Sequence, residues 1–357
     1  MFKRDIEYEL EEWFNSKRTP LIVKGLRGVG KTTSILHFCK THYKHVVYID
    51  FRKNEAYKEI FNSDFDIDKL TSLITLRVKN AVFEPKETIV FPDEIQECAN
   101  ARSSLKYFKL DGRYDVIASG SLLGIKNYNL NISRSVPVGY ETYLTMYPLT
   151  FKEFLVAINN TPYVDYVYQK LKDKKEIDQP IHKELIRLFN LYLVIGGMPG
   201  AINEFIASNN FTNVFRYQND LLASYQDDFG RNINVNNQVN RDERLFEKIS
   251  KTFKSIPLQL GKENNKFKYS EIEHGARANK FFNAIEWLIG AGMIFDCLNL
   301  KRIESPLSFY QLDDQFKLYF ADTGLLFPFF GEASRTFING ESGIYKGAIF
   351  ENAIAFL

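Results

Sequence analysis

Two short stretches carry the residue types that polyphosphate chemistry requires. The first is Gly25-Leu26-Arg27-Gly28-Val29-Gly30-Lys31-Thr32, a glycine, four residues, then Gly-Lys-Thr. Wrapping backbone N–H groups around a polyphosphate needs positive φ values and close approach, and glycine allows both. In such a loop the lysine, here Lys31, reaches the β- and γ-phosphates, and the hydroxyl of Thr32 binds Mg²⁺. The expected phosphate-binding set is therefore Gly25, Leu26, Arg27, Gly28, Val29, Gly30, Lys31, Thr32 and Thr33. The second stretch is Thr88-Ile89-Val90-Phe91-Pro92-Asp93-Glu94, an apolar run ending in two carboxylates. Asp93 is expected to hold Mg²⁺, directly or through water. Glu94 is placed to act as general base on an attacking water.

A third stretch, Tyr114-Asp115-Val116-Ile117-Ala118, runs into Ser119-Gly120-Ser121. A polar residue at such a strand tip can sense the terminal phosphate. Ser121 is the expected one, with Ser119 in reserve, and either serine also suits a turn or a helix cap.

The elements that must position these residues are legible around them. Leu21-Ile22-Val23 precedes the loop and a helix-compatible run, Thr33 to Lys40, follows it, giving the strand–loop–helix context that the pattern needs. His45 to Asp50 and Thr142 to Met146 read as further strands, and Asp50 ends the first of them. Ile6, Leu10 and Phe14 recur at i, i+4 and i+8, so residues 5–15 read as an amphipathic helix. Arg4 and Ile6 at its start are candidates for contact with a nucleotide base, beside the simpler role of covering the sheet. Another helix is expected over roughly 66–82. Five apolar strands alternating with helices predict a parallel three-layer α/β domain, with ligand at the carboxyl ends of the strands. Pro92 lacks an N–H and is unusual in a central strand.

At 357 residues the chain is long enough for two or three domains. The expected division is an α/β domain over 1–155, a helical lid over 156–235 and a further domain over 236–357. Net charge is +2, which gives no global signal for nucleic acid or membrane. No apolar run reaches membrane-spanning length. The three cysteines, Cys39, Cys98 and Cys297, are far apart and read as reduced thiols, and the five histidines make no ligand cluster. The amino terminus has no signal-peptide apolar region, so the cytoplasm is the expected location.

Beyond residue 150 the pattern is mostly helical, with strong spacing over Ile181 to Val194 and a break at Gly196-Gly197-Met198-Pro199. An Asn-rich stretch, 231–240, reads as a linker. Arg134, Arg216 and Arg231 are available to act on a γ-phosphate. Phe267 to Ser270 reads as extended, Ala278 to Ile289 as a helix, and Met293 to Leu298 and Phe316 to Phe320 as strands. That order is the outline of a winged helix. Lys268, Arg277 and Lys280 on or near its reading helix could touch DNA phosphates. The same residues would serve as a solvated face or in a protein contact.

Several stretches together resemble a known family. They are Gly25 to Thr33, Phe91 to Cys98, Ser104 to Phe108, Ala118 to Gly124, Pro137-Val138-Gly139, Met146 to Phe154, Gly196 to Pro199, and Lys268-Tyr269 through Gly275 to Ala278 to Trp287-Leu288. The chain is similar in these to prokaryotic AAA-type ATPases that carry a C-terminal domain of unknown function. The resemblance implies ATP as nucleotide and the roles given above for Lys31, Thr32, Asp93 and Glu94. Pro92 and Tyr140 depart from that pattern. Relatives of this kind usually run on into a nuclease-like unit, whereas the apolar tail, Ile344 to Leu357, offers only Glu351. The leading expectation is a Mg-dependent ATPase acting as a nucleotide-driven switch, with DNA or a protein as partner and self-association left open. The alternative is a nucleotide-gated protein-binding module with little or no turnover. Adjacent Asp93 and Glu94 suit water activation better than phosphate transfer to a metabolite.

Overall fold

The apolar runs become five parallel strands in the computed structural model, which describes residues 1–62, 64–121, 139–231, 239–262, 266–331 and 345–356, with backbone alone at 228–231, 239–244 and 313. The strands are β1 (Leu21–Gly25), β2 (His45–Asp50), β3 (Thr88–Asp93), β4 (Asp115–Ser121) and β5 (Thr142–Met146), in the order β2-β3-β4-β1-β5. Every neighbouring pair is parallel. The central strands of a parallel sheet are covered on both faces, so they are buried with little alternation, while the edge strands β2 and β5 are more open. β3 is buried at every position, and Leu21, Ile22 and Val23 of β1 are closed to solvent.

The flanking helices are α1 (Ile6–Phe14), α2 (Lys31–His42), α3 (Ile67–Arg77) and α4 (Ala99–Asp111). Their ends follow local chemistry. Asp66 caps α3 by accepting the Lys69 N–H at 2.9 Å. Gly112, at φ +70°, stops α4 in the left-handed conformation that favours glycine. Ile49, Phe51, Phe61, Leu70, Ile74 and Leu105 share one apolar core with β3 and β4. These elements form a compact unit, Lys3–Tyr147, with the three-layer P-loop NTPase fold. Pro92 is accommodated without a broken ladder. Pairing of β3 with β4 covers Ile89 and Val90, so the missing N–H falls beyond the paired stretch on that side.

The second unit is Pro148–Leu357. It holds α5 (Phe151–Ala157), α6 (Thr161–Lys172), α7 (Gln179–Ile195), α8 (Pro199–Ser208), α9 (Phe211–Arg231), α10 (Val239–Leu260) and α11 (Ala278–Gly290). An antiparallel pair follows, β6 (Ile294–Leu300) with β7 (Gln311–Phe320), and then α12 (Phe327–Phe330) and α13 (Lys346–Phe356). Thr150 and Glu153 start α5 with a reciprocal capping box. The extended reading of Phe267 to Ser270 survives only at its start. Phe267 donates its N–H to Phe316 O at 2.7 Å, but Tyr269–Glu271 is a single helical turn. Residues 232–238 of the Asn-rich stretch, Arg134, and the Arg231 side chain lie outside the described residues, and Arg216 is exposed on α9. No single helix among the described residues is long and apolar enough to cross a membrane.

The break at Gly196-Gly197 is built around a buried carboxylate. Asp322, just after β7, accepts the N–H of Gly197 at 2.8 Å and that of Gly324 at 2.7 Å. A Cβ on Gly196 would fall 2.1 Å from Asp322 Oδ1, so a larger residue does not fit there.

Candidate nucleotide-binding site

β1 delivers the loop, and the loop fits only as glycine wrote it. A Cβ on Gly25 would lie 2.4 Å from the Met146 carbonyl oxygen on neighbouring β5. The chain then turns through Gly30 at φ +103° into α2, whose first N–H groups have no helical partner and face anions naturally. Within the loop Leu26 and Val29 are buried, while Arg27 and Thr33 are exposed. Arg4 holds the loop from outside. Its guanidinium donates to Val29 O at 2.9 Å and to Tyr147 O at 2.6 Å. Ile6 is buried in the core.

Lys31 is 6% exposed. Its ammonium donates to Gly25 O at 3.0 Å and Leu26 O at 2.9 Å. Burial pulls this group below its ordinary value, and the charges of Glu94 and Asp93 oppose that shift.

Asp93 ends β3 and is 4% exposed. Three hydroxyls surround it. Thr32 Oγ1 and Tyr48 OH each donate to Oδ2 at 2.9 Å, and Ser119 Oγ donates to Oδ1. Burial, with Asp93 and Asp50 alongside, holds the Tyr48 phenol protonated well above its ordinary value. The Thr32 hydroxyl and the Asp93 carboxylate are hard oxygen donors already in contact, which is the ligand chemistry that Mg²⁺ takes. The residues therefore fit that ion.

Glu94 follows at φ +55° and ψ +49°, a left-handed conformation that is uncommon for a side-chain-bearing residue. Its N–H donates to Ser119 Oγ at 3.2 Å. Its carboxylate accepts from Gln96 Nε2 at 2.6 Å and lies 3.4 Å from Arg52 Nε, which also reaches Glu97 Oε1 at 3.2 Å.

The structure thus brings Lys31, Thr32, Asp93 and Glu94 to the carboxyl ends of β1 and β3. Ser121 stands at the end of β4, in register with Gly25 of β1. The hydroxyl that meets both acidic residues belongs to Ser119. Tyr48, Arg52 and Gln96 were not singled out from sequence. A signal existed for Tyr48: it lies two residues before Asp50, on the same strand face, and Asp50 is in register with Asp93. Arg52 lies in a turn and Gln96 in a single 3-10 turn, Ile95–Glu97, both too short for a periodicity to point to them.

Comparisons with known proteins agree with this architecture. Residues 17–155 match the AAA domain family, and residues 186–334 match a domain of unknown function (DUF8612). The chain carries an AAA-type P-loop domain followed by a C-terminal domain of unknown function, the arrangement that the sequence resemblance implied. Among solved structures, the Walker-type ATPase PABY2304 of Pyrococcus abyssi superposes with a TM-score of 0.50 at 14% identity, over 92% of this chain and 96% of that one. The ORC2 protein of Aeropyrum pernix gives a TM-score of 0.46 at 12% identity, over 99% and 95% of the two chains. DnaA of Aquifex aeolicus gives 0.33 at 13% identity, over 80% and 87%. At such identity the first of these shows a shared fold. No curated protein matches the chain.

Proposed function

We propose that this chain binds Mg-ATP on the loop Gly25 to Thr33 and hydrolyses it to ADP and phosphate. The reading rests chiefly on one arrangement: the adjacent carboxylates Asp93 and Glu94 at the end of β3, with Thr32 Oγ1 2.9 Å from Asp93. Lys31 and the N–H groups of the loop and of the first turn of α2 bind the phosphates. Thr32 and Asp93 hold Mg²⁺, which would neutralise phosphate charge. Glu94 takes the proton of the water whose oxygen attacks the γ-phosphorus, while the bond to the bridging oxygen of ADP breaks. Ser121, or Ser119 between Asp93 and Glu94, senses the terminal phosphate.

Phosphate release from purified protein tests this. Wild type should turn ATP over. Glu94→Gln keeps the shape of the side chain but removes the base, so turnover should drop by roughly 10²- to 10⁴-fold while ATP affinity is kept. Measurable hydrolysis that is unchanged in Glu94→Gln would remove Glu94 from the reaction.

A second reading, a nucleotide-gated contact module, draws support from the connection between β6 and β7. Ile303 is 89% and Phe309 82% exposed there, beside Lys301 and Arg302. On α11, by contrast, Lys280 is paired with Glu273, which leaves less charge for DNA phosphates. Tight ATP binding without turnover, together with no DNA binding at low salt, would favour a protein partner over DNA.

A further inference from the structure

The phosphate-binding loop occupies the carboxyl ends of the strands. At their amino ends, within the same unit, lies a cavity of about 340 Å³ lined by Lys17, Arg18, Lys86, Phe108, Lys109 and Asp115 among others. Lys17 and Arg18 come just before β1, Lys86 just before β3, and Asp115 opens β4. The volume is at the lower end of small-molecule sites.

Four cationic side chains face a single carboxylate here, and that carboxylate is already engaged. Asp115 Oδ2 accepts from Arg18 Nη1 at 2.9 Å and from Tyr43 OH at 2.8 Å. The partners of the lysines are neutral. Lys86 Nζ donates to Gly112 O, and Lys109 Nζ donates to Lys17 O at 3.1 Å and Thr19 Oγ1 at 3.0 Å. None of Lys17, Lys86 and Lys109 forms an ion pair among the described residues. Asp111, the next acid along, is gripped by Arg113 at 2.8 Å. Three lysines therefore line one concavity without an ion pair among the described residues, and Lys86 acts on Asp111 only through space, in a chain whose net charge is only +2. Phe108, buried behind them, supplies an apolar wall.

We propose that this cavity is a second anion site, and that it binds a small organic phosphate: the phosphate among the lysine ammonium groups, the flat or apolar remainder against Phe108. Lysines act on phosphate as point charges, so the site asks for negative charge more than for a fixed hydrogen-bond geometry. The inference stands apart from the nucleotide reading, because its residues and those of the loop are at opposite ends of the strands.

Isothermal titration of the full chain with phenyl phosphate tests it, using inorganic phosphate for comparison and Lys31→Ala to disable the loop. The expected result is one-to-one binding of phenyl phosphate that persists in Lys31→Ala and is several-fold tighter than that of inorganic phosphate. Lys17→Glu combined with Lys86→Glu should weaken it at least tenfold. Lys86 also bonds Gly112 O, so Lys17→Gln serves as the milder variant. Lys17 is exposed and its side chain has no ion pair or hydrogen bond among the described residues, and its loss should weaken binding about threefold without lowering the melting temperature. Absence of binding at millimolar phenyl phosphate, loss of binding in Lys31→Ala, or binding unmoved by Lys17→Gln would each overturn the proposal.

Discussion

Asp93 and Asp322 are both buried aspartates, 4% and 3% exposed, one in each unit of the chain, and their surroundings differ in kind. Asp93 is met by the hydroxyls of Thr32, Tyr48 and Ser119, and the Lys31 ammonium acts on the same region. Asp322 is met by the backbone N–H groups of Gly197 and Gly324. Hydroxyls rotate, and each can turn its oxygen lone pairs toward a cation. Backbone amides are fixed by the chain that carries them and only donate. The first environment can exchange a protein contact for a metal or phosphate contact. The second can only hold two segments together. Burial of a carboxylate therefore does not by itself mark a site; the freedom of its partners does.

If that contrast is right, damage to the first environment should harm ligand binding and spare folding. The largest effect should come from Lys31→Ala. Removing the main counter-charge of a buried triphosphate should weaken Mg-ATP by roughly 10²- to 10³-fold, about 3–4 kcal/mol. The melting temperature should stay near that of wild type, since Lys31 bonds only to carbonyls of its own loop. Asp93→Asn should act more narrowly, weakening the dependence of ATP binding on Mg²⁺. Titration calorimetry with and without Mg²⁺ separates the two. Undiminished affinity in Lys31→Ala would take the loop out of the site and erase the contrast.

The reverse is expected for Asp322→Ala. The buried N–H groups of Gly197 and Gly324, with that of Met198 beside them, lose their acceptor, and a small void opens beside Gly196, so stability should drop by about 2–3 kcal/mol. Urea denaturation checks this. ATP affinity of the folded variant should be unchanged. A variant as stable as wild type would mean that the segments are held by packing, with Asp322 merely tolerated.

Half of this contrast was visible in the sequence. The loop, the two acidic residues and the five strands all announce themselves through local pattern: glycine spacing, apolar runs and the types of residue at strand ends. Even Pro92, which spoils the pattern, removes no bond of the β3–β4 ladder, because β3 is paired with β4 only at Ile89 and Val90. What encloses Asp93 was less legible. Tyr48 and Ser119 reach it across the sheet, and choosing Ser119 over Ser121 needs the actual placement of two serines that share one strand face. The role of Asp322 was invisible, since one partner, Gly324, is a local turn contact and the other, Gly197, lies far back along the chain. Sequence pattern shows the Gly-Gly-Met-Pro break but not which side chain fills it. The three lysines of the second cavity are likewise scattered, Lys17 and Lys86 in turns and Lys109 in the last turn of α4, where no shared periodicity reports them.

The smallest expected change, taken per pH unit, sharpens the comparison through pH. Burial pushes the Asp322 carboxyl up to about 7, against the pull of the Gly324, Gly197 and Met198 N–H groups. In the unfolded chain an aspartate titrates near 3.9. Between these values the folded chain holds a proton that the unfolded chain has released. A raised acid of this kind therefore lowers stability as pH rises from about 4 to 7, by at most about 1.4 kcal/mol per pH unit. Above the folded value both states are ionised and the slope from this group ends. Asp322→Asn cannot titrate, so urea midpoints taken at pH 5, 6, 7 and 8 should show wild type losing stability relative to the variant up to about pH 7 and running parallel to it beyond. Other titrating groups are common to both proteins and cancel in the difference. Parallel curves over the whole range would mean that the amide hydrogen bonds outweigh burial and keep Asp322 ionised. It would then be a charged clamp, closer in character to Asp93 than its surroundings imply.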